Sequence, residues 1–514
     1  MKKRIGIILI SILLIVSSLV IVYPIKALIV SSDTLYVGGT GPGNYTRIQD
    51  AINASSNGDT IFVYNGIYYE NIVIDKPLSL KGKDKNLCVI DSREEGEIIL
   101  TINSSQVTLD SFTIINGSCM PFSLTSDGIR ANSVDNLKIS NVIFTDCYKA
   151  IRLIDSTNVI IENCKFYNNN EDSIVGDISE DLVIRNCFIN NTGLIKQGGW
   201  YRPGGITITC AENGVLNFKI YNCTIRNIVG WGISIKGEYG NSEVFSNNID
   251  NASNYGIYIY GESYFDIHNN LIKGCEANEI DVRLSPKVSN NKIIQNNIIL
   301  NEFDELLAGI SILSSNSVRV INNSIQTNKK YGIMIRNSSY NILEGNTIDG
   351  FHEYGIELYP NCTDNIIKNN NINHSHFYNI GISNCCNNNI LGNNLTKADY
   401  LAIYITSSND NNIEMNNIYN NQNGLIITNS RHNIIKNNNF IYNNQNAYIQ
   451  HSLQMHTFLF ANDKFKGNYW DDYSGYGPKK INASLTILFP LLDRTVFLDY
   501  FKYDWYPAKE PYNI

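Results

Sequence analysis

The stretch from Gly309 to Ala447 repeats one short phrase: GISIL at 309–313, GIMIR at 332–336, GIELY at 355–359, NIGIS at 379–383, AIYIT at 402–406 and GLIIT at 424–428. Successive starts lie 23, 23, 24, 23 and 22 residues apart. Within each phrase apolar positions alternate with variable ones, the period of a strand with one buried face. A second phrase follows in each repeat, such as NILEGNTI at 341–348 or NIIKNNNI at 365–372. The period is too short for a propeller blade and carries no helical pattern, so each repeat reads as one coil of a parallel β-helix.

Upstream the phrase returns as GIRAN (128–132), AIRLI (150–154), SIVGD (173–177), GITIT (205–209), GISIK (232–236), GIYIY (256–260) and EIDVR (279–283). Its spacing is broken by insertions at Gly117–Asp127, Thr192–Gly204 and about Ile299–Ala308. All three precede the phrase and so emerge at one corner of the coil, where insertions leave the stack intact and commonly build a binding rim. Ile48, Ala51 and Ile52 lie at helical spacing after Thr46, a candidate N-cap. They predict a short helix covering the open first coil. The expected architecture is all-β, a right-handed single-stranded parallel β-helix of about fifteen coils with a short N-terminal capping helix. Its parts are an export segment at 1–30, cap and first coils at 34–100, repeats at 101–465 and a C-terminal cap at 466–514.

Charged residues make up 17% of the 514 residues, below the roughly 25% usual in globular chains. Asparagine fills the polar quota. A net charge of −8 argues against a nucleic-acid partner. Lys2, Lys3 and Arg4 precede an apolar run over residues 5–23, which fits a secretory signal or an uncleaved membrane anchor with the remainder exported. Thirteen N-x-S/T sequons are compatible with a glycoprotein, although an asparagine-rich chain also produces them by chance. The eleven cysteines include no CxxC pair. Cys164 and Cys187, and likewise Cys362 and Cys385, hold equivalent places in neighbouring coils. At a coil spacing of about 4.8 Å each pair could be a disulfide staple or a ladder of small buried thiols.

The opening YVGGTGPGNYTRIQDAIN, the asparagine-rich coils and the closing GNYWDDY resemble NosD-type right-handed β-helix proteins, which share the domain described as carbohydrate-binding and sugar-hydrolase. The resemblance implies a right-handed parallel β-helix outside the membrane, with carbohydrate as the most frequently suggested ligand. Named members serve copper delivery to nitrous oxide reductase. After GNYWDDY relatives often carry a Gly/Asp-rich loop, whereas YSGYGPKKINAS follows here, so a calcium role for that loop is not implied.

In G-I-x-I-x the isoleucines point inward and the x positions form two outward columns. Arg130 and Arg152 stack in one column near Asp177, and an insertion carrying Trp200, Tyr201 and Arg202 flanks them. Stacked guanidinium groups repel unless neutralised. A uronate or sulfate would do this, as would Asp127 and Asp155. Arg152 as base with Arg130 and Asp177 is the candidate catalytic set of a polysaccharide lyase or glycoside hydrolase. Lys236, Tyr258, Tyr260, Asp281 and Arg283 mix flat rings with charges, as sugar-binding faces and ordinary solvated sheet faces both do. Asp281 and Glu357 share a column three coils apart, about 14 Å, beyond the roughly 5–9.5 Å of a glycosidase pair. His352, His374, His376 and Asp399 fall near one corner and have ligand types suited to copper or zinc, or are solvent-facing loop residues. A column of Trp231, Tyr255, Tyr331, Tyr354 and Tyr378 precedes the phrase. The functional expectation is an exported protein binding glycan or another surface polymer. The alternatives are the lyase or hydrolase and a copper-handling accessory protein.

Overall fold

A computed structural model describes residues 32–514, except 93–97, 116–126, 178–180, 195–202, 210–216, 238, 262, 279, 284–291, 295–296, 300–307, 327–329, 454–461 and 490–493. The chain winds into a right-handed parallel β-solenoid of about fifteen coils, each contributing one strand to each of three sheets. The front sheet contains the repeated phrase, for instance Trp231–Lys236, Ile257–Tyr260 and Ile280–Arg283. Apart from the last strand, every strand pairs in parallel with its equivalent one coil away.

The inward isoleucines stack in register. Ile129, Ile151, Ile174, Ile206, Ile233, Ile257, Ile280, Ile310, Ile333, Ile356, Ile380 and Ile403 form one unbroken column, all fully buried. Branched side chains interdigitate along a parallel sheet buried on one face, and each contributes about 1.5–3 kcal/mol on burial. This column fixes which residues of the phrase face outward.

Asparagine has two tasks at the corners. In the C-terminal coils, Asn322, Gly345, Asn369, Gly392, Met415, Asn437 and Gly467 are left-handed, with φ between 54° and 69°. Asparagine or glycine suits that turn, because both tolerate positive φ. The next residue is a buried asparagine: Asn323, Asn346, Asn370, Asn393, Asn416, Asn438 and Asn468. From each, the main-chain N–H and Nδ2 donate to Oδ1 of the following one at 2.8–3.0 Å. Every link needs an acceptor on its C-terminal side. The last link finds Asp504, whose carboxylate accepts from the Asn468 N–H at 2.9 Å, Asn468 Nδ2 at 3.1 Å and Trp470 Nε1 at 3.2 Å. A second ladder, Asn341 to Asn433 through Asn365, Asn388 and Asn411, ends in the same way on Asp463.

In the earlier coils the first of these columns is built from Val142, Cys164, Cys187 and Cys223 and changes to asparagine at Asn247. Cys362 and Cys385 stand in a third column with Ser338 and Ser408, where the Cys385 thiol accepts the Cys362 N–H at 3.3 Å. The nine described cysteines are free thiols, so both pairs are rungs of hydrogen-bonded columns rather than staples.

The predicted cap helix spans Ile48–Ala54 and buries Ile48, Ala51 and Ile52. Its N-terminus is not capped by Thr46. The Glu70 carboxylate accepts the N–H groups of Ile48 at 2.8 Å and Gln49 at 3.0 Å, satisfying from a neighbouring coil the donors a helix start leaves open.

Candidate functional site

The front-sheet register confirms both outward columns. One runs Arg130, Arg152, Val175, Thr207, Ser234, Tyr258, Asp281, Ser311, Met334, Glu357. The other includes Ile154, Asp177, Thr209, Lys236, Tyr260 and Arg283. Facing outward does not make these residues exposed. Thr207, Ser234, Asp281 and Ser311 are all buried, because larger neighbours fold across them.

Arg130 and Arg152 stack in adjacent coils, each neutralised by a carboxylate. Arg130 binds Asp127 through Nε and Nη2, both at 2.6 Å, and Arg152 binds Asp177 through Nε and Nη2, both at 3.1 Å. Asp155, expected as a neutralising group, instead occupies a left-handed turn. Asp177 also accepts from Thr209 Oγ1 at 2.7 Å. Burial raises the pKa of Asp127, with Arg130 opposing the shift. Of the candidate catalytic trio, Asp177 and Arg152 are thus paired with each other, whereas Arg130 is held by Asp127.

The second cluster is more open and more connected. The Trp231 and Tyr258 rings lie parallel at 5.6 Å, Tyr255 and Tyr258 at 5.2 Å, and Tyr258 and Tyr260 at 6.4 Å. Lys236 Nζ sits 4.0 Å from the Trp231 ring centroid. Burial lowers the Lys236 pKa, with Asp172 pulling the other way, and burial pushes Tyr258 up to about 12. Arg283 donates to Asp281 at 3.0 Å and to the Tyr255 hydroxyl at 2.9 Å. Buried Asp281 is further held by Asn278 Nδ2 at 3.0 Å. Tyr260, 55% exposed, is paired in register with Lys236 on one side and Arg283 on the other. All five residues expected in this cluster come together. Trp231 and Tyr255, from the aromatic column that precedes the phrase, stack against Tyr258. The contribution of Asn278, three residues before Asp281 in the same coil, lies outside the repeated phrase and was not read from the sequence. Trp200, Tyr201 and Arg202 lie outside the described residues.

The histidine corner separates into pairs. His374 Nδ1 meets Asp349 Oδ1 at 3.0 Å, and His376 Nδ1 meets Asp399 Oδ2 at 3.3 Å. Irregular register on both sides of His352 pairs its backbone with Ser375 rather than His376, and only that backbone is described. His374 and Asp399 border a shallow depression of about 420 Å³ that Lys397, Gln422, Tyr442 and Asn444 also line. Among the described residues no group of three His, Cys, Asp or Glu side chains is placed to hold a metal ion. His374 and His376 thus each face a carboxylate of a different coil, and the expected set is incomplete among the described residues because the His352 side chain lies outside them. Elsewhere, His451 is buried beside Tyr500.

The family described as right handed beta helix region matches residues 86–217 and 201–302. The family described as periplasmic copper-binding protein (NosD) matches 264–377 and 301–475. Together the two matches span residues 86–475 and describe a right-handed parallel β-helix whose C-terminal coils are similar to NosD-type proteins. A curated relative, a cell surface glycoprotein of Methanothermus fervidus, is 26% identical over 286 residues, covering 50% of this chain and 46% of the relative. The match thus spans less than half the length of that relative. Similar solved structures include the A-module of the mannuronan C-5 epimerase AlgE4 of Azotobacter vinelandii, at 14% identity and TM-score 0.44 over 65% of this chain and 94% of that one. The surface adhesin PfbA of Streptococcus pneumoniae matches at 16% identity and TM-score 0.43 over 62% and 87%.

Proposed function

We propose that this is an extracytoplasmic surface β-helix protein that binds a carbohydrate polymer on the front sheet, around Tyr260. The observation that carries the reading is the exposed Tyr260 ring flanked in register by Lys236 and Arg283, above the parallel rings of Tyr258, Trp231 and Tyr255. A sugar ring presents C–H groups to an aromatic face and hydroxyl or carboxylate groups to donors at its edge. Coils repeat at about 4.8 Å, close to the length of one sugar residue, so neighbouring rungs can meet neighbouring parts of one chain. Supporting the location are the basic and apolar segment at 1–23 and the surface or periplasmic descriptions of the matching proteins. Residues 1–30 serve export or anchoring in this reading.

Affinity electrophoresis through gels containing acidic or neutral polysaccharides tests it. Retardation by at least one polymer, weakened roughly tenfold by Tyr260→Ala, is expected for a ring contributing on the order of 1–1.5 kcal/mol. Migration indifferent to every polymer, or unchanged by Tyr260→Ala, overturns the reading.

A further inference from the structure

The repeated phrases place four arginines on the outward face of the front sheet, Arg130, Arg152, Arg283 and Arg336. Three are matched within the chain: Asp127 holds Arg130, Asp177 holds Arg152 and Asp281 holds Arg283. Arg336 is the exception. Its half-buried guanidinium makes no ion pair or hydrogen bond with any described residue, and its Nε is buried with no acceptor. Burying a charged donor without an acceptor is costly, so a group from outside the chain is the remaining way to match it. The acid in the next coil does not do so. Glu357 lies opposite Met334, and its carboxyl accepts from the Tyr331 hydroxyl. Burial raises the Glu357 pKa, with Tyr331 and the charge of Arg336 opposing the shift.

Arg336 also repeats the setting of the Tyr260 cluster. The outward column that carries Lys236, Tyr260 and Arg283 continues through Leu313 to Arg336. Tyr359 follows Arg336 in the next coil, where its N–H donates to the Ile335 carbonyl at 3.0 Å, and it is 40% exposed. An exposed ring beside an arginine thus occurs twice in one column, as Tyr260 with Arg283 and again as Tyr359 with Arg336. Four coils separate the two rings, about 19 Å at about 4.8 Å per coil, or about four sugar residues.

We propose that Arg336 and Tyr359 form a second subsite for the polymer, taking an anionic sugar unit whose carboxylate or sulfate pairs with the Arg336 guanidinium. This rests on the reading that a polymer lies along the front sheet at Tyr260, and it adds the charge class of that polymer. A guanidinium donates two parallel N–H bonds to two oxygens of one acidic group, while the C–H face of the sugar ring lies against the neighbouring phenol. The chain carries a net charge of −8, so its surface at large does not attract an acidic polymer. Retention then depends on a few placed cations, and removing one of them should be felt.

Affinity electrophoresis of the full chain through gels of polygalacturonate, dextran sulfate and uncharged dextran tests this. One of the two anionic polymers, carrying uronate or sulfate, should retard the protein more than dextran does, and the stronger of them identifies the group. Arg336→Met, which keeps the aliphatic stem, should weaken that retardation roughly tenfold and leave any retardation by dextran as it was. The thermal midpoint of this variant should be unchanged or higher, because the guanidinium has no native hydrogen bond to lose. A fall in the midpoint assigns Arg336 a structural role and overturns the proposal, as does equal retardation by all three polymers. If Tyr260→Ala weakens retardation and Arg336→Met does not, the subsite falls and the Tyr260 site stands. The reverse result supports the subsite and removes Tyr260 from the track. Migration indifferent to all three polymers overturns both.

Discussion

The coils from Ala308 to Trp470 and those from Asp127 to Arg283 share one sheet and one isoleucine core, yet they use their polar residues differently. In the C-terminal coils asparagines turn inward and satisfy one another, which leaves even turns, while the rings of Tyr331, Tyr354 and Tyr378 stack beside the phrase. In the earlier coils the equivalent corner column is apolar or thiol as far as Cys223 before changing to asparagine at Asn247, and the outward face carries ion pairs and ring stacks. Inward and outward polar residues thus do different work, because an inward amide serves only its neighbouring coils whereas an outward cluster can meet a partner.

The sharpest way to break this contrast is to interrupt a ladder. Asn393→Leu removes the acceptor of two buried donors on Asn370, the N–H at 3.0 Å and Nδ2 at 2.9 Å. At about 1–3 kcal/mol per orphaned donor, urea unfolding should show a loss on the order of 3–5 kcal/mol, with polysaccharide retention of the folded fraction unchanged. Tyr260→Ala should do the reverse, costing roughly tenfold in retention and less than about 0.5 kcal/mol in stability, since the side chain is exposed. Loss of stability in the second variant comparable to the first would erase the proposed division of labour.

A smaller effect is expected where the thiol column replaces the amide ladder. Cys187→Ala should cost about 1–2 kcal/mol, because it forfeits packing and a weak donor rather than orphaning two amide groups. The smallest concerns pH. Burial, aided by Lys502, lowers the pKa of His451 below its ordinary 6.5. The unfolded chain then takes up this proton first as pH falls, so stability is full above about pH 6.5 and declines as pH drops toward the lower folded value. The decline should disappear in His451→Gln when unfolding is followed as pH falls from about 7.

Much of the site was legible in the repeat itself. Once the isoleucines were assigned inward, Lys236, Tyr258, Tyr260, Asp281 and Arg283 had to fall on one outward face in adjacent coils, and they do. The same ruler placed Arg130 above Arg152. It failed where spacing departs from the repeat. The irregular register around His352 shifts its backbone partner by one residue, from His376 to Ser375. It found Asp127 for Arg130 but missed partners outside the phrase such as Glu70 for the cap helix, because that contact depends on the path of the corners.

The sequence by itself determined the fold, because alternation and a constant period are properties of the chain that any one coil imposes on the next. It also determined the two outward columns. Only the tertiary structure decided which outward residues are covered, which charges are already spent on each other, and that asparagines turn inward as ladders stopped by Asp463 and Asp504. The physical reason is that burial and pairing are set by residues one coil away, more than twenty positions distant in the chain. A carboxylate drawn from the final antiparallel strand can close a ladder that begins more than a hundred residues earlier, and no local pattern announces it.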